Sequence, residues 1–67
     1  MTAAQFELLD SSEAEGVLRW RFEELIRAGY DAANALILAS HLEVDLHAAA
    51  SLLARGCPPE LAMQIAL

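Results

Sequence analysis

Two breaks in otherwise helix-forming sequence divide this chain, one at Gly29 and one over Gly56-Cys57-Pro58-Pro59. Elsewhere the sequence is dominated by alanine and leucine, which are strong helix formers. Glycine often ends a helix in the left-handed conformation, and proline is accepted in a helix's first turn. β-branched residues are few, which argues against a sheet. We therefore predict an all-α fold with helices over about 13–28, 31–42, 46–55 and 58–67.

The predicted helices begin at side chains that can cap them. Ser12 and Glu15 have the spacing of a capping box, in which the serine binds the N3 amide. Gly16 weakens this first turn by up to about 1 kcal/mol relative to alanine, which favours a helix start later than Ser12. Asp31 is the predicted N-cap of the second helix, and Asp45 is that of the third.

The chain has 67 residues, which is enough for one domain. We expect an acidic flexible tail over residues 1–11 and a single helical domain over 12–67. Cys57 is the only cysteine, so no disulfide can form within the chain. A domain this small has a thin stability margin, and the 57% hydrophobic content must supply a dense core.

The spacing of apolar residues predicts which face of each helix is buried. In the second helix, Leu36 and Ile37 lie on one side and Leu38 lies on the other, which predicts a central helix buried on more than one side. The other helices each have one predicted inner face. These faces are Leu18, Phe22, Leu25 and Ile26 in the first helix, Leu46, Ala49, Ala50 and Leu53 in the third, and Leu61 and Ile65 in the fourth.

The charge balance limits the kinds of molecule that this chain could bind. The chain has ten acidic residues and four arginines, for a net charge of −6. Arg19, Arg21 and Arg27 stand among glutamates, so we predict no basic stripe of the kind that nucleic acids bind. An anionic membrane would also repel the chain. We therefore expect a protein partner with a basic or apolar face, and no nucleic acid or membrane partner.

No pattern in the sequence indicates a reactive centre. The serines stand at caps or inside helices, and the glycines are isolated rather than grouped in a phosphate loop. His41, His47 and Cys57 lack the tight spacing and the fourth ligand of a zinc site. We predict no enzymatic activity, no cofactor and no metal. Without a signal-peptide pattern or an apolar run of membrane length, a cytoplasmic location is expected.

Four short motifs lie within residues 22–53 in a regular order. They are Ala28-Gly29-Tyr30, Ala35-Leu36, Asp45-Leu46-His47-Ala48-Ala49 and Leu52-Leu53. Their order and spacing resemble the ubiquitin-associated (UBA) family, whose shape the N-terminal domain of elongation factor Ts shares. The resemblance implies a compact three-helix bundle, here with an added short C-terminal helix, that binds through the first loop and the end of helix three. The Arg27–Tyr30 and 56–62 segments also resemble a small actinobacterial protein family, which implies no function.

Trp20 is the least expected residue of the first helix. On a helical wheel it lies about 180° from the predicted inner face, beside Glu23, Glu24 and Arg27. Three explanations are open: coverage by the N-terminal tail or the fourth helix, self-association, or a role as a partner anchor. The candidate partner-binding residues are Trp20, Arg27, Gly29, Tyr30 and Leu52.

The predicted function is a non-catalytic protein-interaction module. One alternative is a homo-oligomeric structural domain, in which excess apolar surface is buried between copies. A second is a helix-turn-helix nucleic-acid binder. The sequence does not identify the partner, ubiquitin-like or not, or the oligomeric state.

Overall fold

The computed structural model describes residues 2–67 as five helices. The described residues contain no strand, so the all-α prediction is confirmed. The bounds of the last four helices agree with the predicted ones to within two residues. The helices are α1 (Ala3–Glu7), α2 (Ser11–Ala28), α3 (Ala32–Ser40), α4 (Leu46–Ala54) and α5 (Pro59–Ala66).

The segment expected to be an acidic flexible tail, residues 1–11, contains α1. Thr2 caps this helix: its hydroxyl accepts from the Gln5 amide, and the Gln5 side chain accepts from the Thr2 amide. α2 begins at Ser11 rather than beyond Ser12, because the Asp10 carboxylate accepts from the Glu13 amide at 2.8 Å. Asp10 therefore takes the N-cap position that the sequence pattern assigned to Ser12, and α1 joins α2 through a short connection.

Gly29 ends α2, as predicted. Its φ is 118°, in the left-handed region, and the next amide, that of Tyr30, donates to the carbonyl of Leu25 at 3.1 Å. This hydrogen bond satisfies one of the carbonyls that a helix C-terminus leaves free. Asp31 then caps α3 by accepting from the Asn34 amide at 2.8 Å. The tight turn makes α2 and α3 neighbours.

Replacing Gly29 by valine is expected to destabilise the domain by at least about 1 kcal/mol, because a β-branched residue resists positive φ. An added Cβ would also lie 3.4 Å from Leu53 Cδ1. For a domain of this size that loss corresponds to a fall of about 4–8 °C in melting temperature. Gly16→Ala is the matched control, because an added Cβ there meets nothing within 4 Å. Equal melting temperatures for Gly29→Val and the wild type would contradict the prediction.

The core is built largely from small residues. Its buried apolar residues come from four of the five helices and from two loops. Alanine at a helix contact lets two backbones approach closely, so several short helices can share one compact core. The buried apolar residues are Leu25, Tyr30, Ala35, Leu38, Ala39, Val44, Ala49 and Ala62.

The prediction that the second helix is buried on more than one side is wrong. α3 buries one face, which carries Ala35, Leu38 and Ala39. Leu36 is 62% exposed, and Ile37 is also exposed on the outer side. The physical reason is the arrangement of neighbours: α3 packs on α2 and α5, and no helix among residues 2–67 covers its outer side.

The C-terminal helix packs as a separate element, but through a different face from the predicted one. Gly56 has a φ of 90°, and the two prolines that follow start α5 in a new direction. The fully buried residue of α5 is Ala62, whereas Leu61 and Ile65 are exposed. Close packing on α4 and α3 explains this outcome, because a large side chain at the contact would hold α5 away from the core.

Candidate protein-interaction surface

The inner face of α2 keeps Leu25 and Phe22 of the predicted apolar stripe, but its second buried residue is Arg21, which the prediction did not include. Arg21 is only 5% exposed, while Ile26, predicted to be buried, is exposed. The Arg21 Nε donates to the Ala39 carbonyl at 3.0 Å. Its Nη2 donates to the carbonyls of His41 at 2.9 Å and Val44 at 3.1 Å. The Leu38 carbonyl also accepts from Nη2, at the longer distance of 3.5 Å.

These contacts tie α2 to the end of α3 and to the loop that leads into α4. The last carbonyls of a helix have no partner within the helix and carry its partial negative charge. A guanidinium offers several donors in a planar fork, so a single side chain can satisfy carbonyls from both segments. Among residues 2–67, no buried side-chain nitrogen or oxygen lacks a hydrogen-bond partner. Arg21 therefore sets the position of the loop, and through it the start of α4.

The electrostatics of Arg21 reflect its burial. Loss of solvent around the guanidinium lowers its pKa, and the nearby negative charge of Glu43 raises it. The group stays charged at neutral pH because the ordinary pKa of arginine lies far above neutrality. From the sequence, Arg21 was expected only to stand among the glutamates of α2, with no structural role. The one local signal for its burial was its position four residues before Leu25, on the same side of the helix.

Trp20 lies on the flank of α2 that faces α4. Its side chain borders a groove of about 250 Å³ between the two helices. Trp20 is 55% exposed, and the groove is lined only by residues of α2 and α4. The explanation that the N-terminal segment or α5 covers the indole is therefore wrong. The lining residues, called here the Trp20 groove, are Trp20, Glu24, Leu25, Leu46, His47 and Ala50.

Arg27 lies on the same side of α2 as Trp20, two turns further along the helix. Its guanidinium forms an ion pair with the carboxylate of Glu24, and both side chains are open to solvent. Pairs of this kind contribute about 0–1 kcal/mol to stability. Arg27 and Glu24 thus form a polar edge beside the groove, on the same side of α2 as Trp20.

The other candidate residues lie elsewhere. Tyr30 is 3% exposed, and its hydroxyl donates to the Ala49 carbonyl at 2.8 Å. Burial, and secondarily the nearby Cys57, raises the pKa of Tyr30. Gly29 is exposed at the loop, but the ring that follows it points into the core and is closed to a partner.

Leu52 is half-buried on the opposite flank of α4 from the Trp20 groove. It lines a second groove of about 270 Å³, which α5 borders through Ile65 and Ala66. The UBA resemblance implied a binding surface made by the first loop and the end of helix three. In this chain α5 lies beside that surface, and Tyr30 is turned away from it.

The arginines do not combine into one basic surface. Arg21 is buried and Arg27 is paired with Glu24, whereas Arg19 on α2 and Arg55 after α4 belong to different elements. Within residues 2–67, no three His, Cys, Asp or Glu side chains are grouped as metal ligands would be. None of the helices described is both long enough and apolar enough to cross a membrane.

The candidate surface is therefore the Trp20 groove with its polar edge at Glu24 and Arg27. Comparison of the chain with protein-family models, with characterised proteins and with solved structures finds no match.

Proposed function

We propose that this chain is a small non-catalytic protein-interaction module that binds a protein partner through the Trp20 groove. The observation that carries the proposal is a tryptophan left 55% exposed at the edge of an apolar groove. The exposed part of an indole forgoes a large burial energy, which a partner that covers it can recover. Tryptophan is also enriched among residues that dominate binding energy at protein interfaces.

The surroundings of the indole support a preformed site. Leu25 at the base of the groove is almost fully buried, and Leu46 and Ala50 come from α4. The start of α4 follows the loop that Arg21 holds through backbone carbonyls. A site that is already ordered loses less conformational entropy on binding, so a small contact area gives a higher affinity.

The size of the groove favours a side chain of a protein over a small-molecule substrate. Ligand sites usually enclose about 300–1,000 Å³ and bury most of the ligand. The Trp20 groove, at about 250 Å³, is smaller and open at its edge. It suits one or two apolar side chains that project from a partner's surface.

Loss of the indole is expected to abolish partner capture without unfolding the domain. The test is a pull-down from the host lysate with the immobilised wild type, Trp20→Ala and the control Ile26→Ala. Ile26 is also an exposed large apolar residue of α2, but it lies outside the groove. We expect the wild type and Ile26→Ala to retain the same stoichiometric partner, and Trp20→Ala to lose it by at least tenfold. Retention of that partner by Trp20→Ala at the same helical content would overturn the proposal.

The outer face of α3 favours a second candidate, a homo-oligomeric structural domain. Leu36 and Ile37 are exposed there, and α3 contains no charged residue. In a chain of net charge −6, a face without acids is one that two copies could share without like-charge repulsion. Light scattering after size exclusion separates the candidates: the interaction module is a monomer alone, whereas the oligomer becomes monomeric in Leu36→Ser.

A further inference from the structure

Gly16 occupies a helix position for which the fold gives no reason. It lies inside α2 and is exposed, and an added Cβ would meet nothing within 4 Å. Its backbone is not in the positive-φ region, unlike that of Gly29 and Gly56. Glycine destabilises a helix interior relative to alanine, because it loses more conformational freedom on folding. Neither backbone strain nor packing within this chain offsets that cost.

The position of Gly16 relative to Trp20 suggests a use. Gly16 precedes Trp20 by four residues, so the two lie on the same side of α2 one turn apart. The missing side chain leaves bare helix backbone beside the exposed indole. Glycine at an exposed position of this kind permits the close approach of another backbone.

The charges on this side of α2 are predominantly acidic. Glu13 lies two turns before Trp20, and Glu23 lies about one turn after it; both are exposed. Glu24 is already paired with Arg27, which leaves Glu13 and Glu23 to act on a partner. The chain as a whole carries a charge of −6. A partner with positive charge flanking its apolar contact is therefore complementary to this surface.

We propose that the partner segment is a basic amphipathic helix that crosses α2 at Gly16. This inference rests on the proposed function of the Trp20 groove. The apolar stripe of the partner helix lies on Trp20 and enters the groove between α2 and α4, in the mode by which amphipathic helices bind apolar grooves. Its backbone approaches α2 at the bare turn of Gly16, and its lysines or arginines lie near Glu13 and Glu23.

The single tryptophan of the chain makes the test site-specific. The probe is a synthetic tryptophan-free amphipathic helix with leucine and alanine on one face and lysine on the other, compared with the same peptide carrying glutamate. We expect the lysine peptide to give a saturable blue shift of Trp20 emission, and to bind at least tenfold more tightly than the glutamate peptide. Raising the ionic strength should weaken the binding of the lysine peptide but not that of the glutamate peptide.

Gly16→Leu isolates the role of the bare turn. We expect this substitution to lower the affinity for the lysine peptide at least tenfold. The melting temperature should equal or exceed that of the wild type, since leucine is a better helix former than glycine. Gln64→Leu, an exposed substitution on α5, is the matched control and should bind like the wild type. Wild-type affinity in Gly16→Leu, equal affinity for both peptides, or no saturable shift with the lysine peptide would each overturn this inference. A partner lost from Trp20→Ala but kept by Gly16→Leu would leave the proposed function standing.

Discussion

Arg21→Ala is expected to destabilise the domain by about 3–5 kcal/mol, because it removes at least two buried hydrogen bonds from a charged donor, each of which contributes about 1.5–3 kcal/mol. The substitution leaves the carbonyls of Ala39, His41 and Val44 without the donor that they share. It also opens a void beside Leu25 in the core. Total stability at about 0.05–0.15 kcal/mol per residue is of similar size for a chain this short, so the variant should be largely unfolded at 37 °C.

The measurement is urea unfolding followed by circular dichroism, with Arg19→Ala as the matched control. Arg19 is exposed on the same helix, and its loss should change stability by no more than about 0.5 kcal/mol. Arg21→Lys should recover little, because an ammonium lacks the planar fork that reaches several carbonyls at once. Equal urea midpoints of unfolding for Arg19→Ala and Arg21→Ala would show that the buried guanidinium does not hold α2, α3 and the loop between α3 and α4 together.

Ending the chain at Gly56 is expected to cost about 2–3 kcal/mol and to lower the melting temperature by about 10 °C or more. The deletion removes Ala62, which is fully buried, together with the half-buried Met63 and Ala66. It also exposes the parts of α3 and α4 on which α5 packs.

The double variant Leu61→Ser/Ile65→Ser in the full chain is the control for this deletion. Leu61 and Ile65 are exposed, and Ile65 is 58% accessible. Their replacement should shift stability by less than about 1 kcal/mol, since exposed positions contribute little. If the double variant were as unstable as the truncated chain, the inner face of α5 would be the one predicted from sequence. A truncated chain as stable as the full one would show that α5 is not part of the folded domain.

Helix bounds and caps were accessible from sequence because their physics is local. A capping side chain acts on an amide two or three residues away, as Asp31 does for α3 and Asp45 for α4. The positive φ of Gly29 depends on the turn it makes and on little else. The same local rule explains the one cap that was misplaced. Asp10 and Ser12 can both cap, and the longer helix places Asp10 at the N-cap.

In α5 the polar residues Glu60 and Gln64 lie opposite Ala62, so spacing alone could have found the buried face of that helix. The buried face of α3 was not accessible from the sequence, because that helix is apolar nearly all round. In such a helix the pattern shows that burial is possible, and the positions of the neighbours decide which side is buried. Neighbours approach most closely over alanine, so Ala35, Ala39 and Ala62 are in the core. Larger residues such as Leu36 and Ile65 are left on the surface.

For the candidate site, the sequence by itself identified Trp20 as unusual, since an indole among glutamates and arginine on one helix is visible from spacing alone. Only the tertiary structure decided that the indole is exposed, that it borders a groove with α4, and that Tyr30 is buried. The burial of Arg21 is also a tertiary result, because its partners lie 17–23 residues further along the chain. The physical reason is common to all of these: burial and exposure depend on contacts between helices, and such contacts are set by how closely the helices pack.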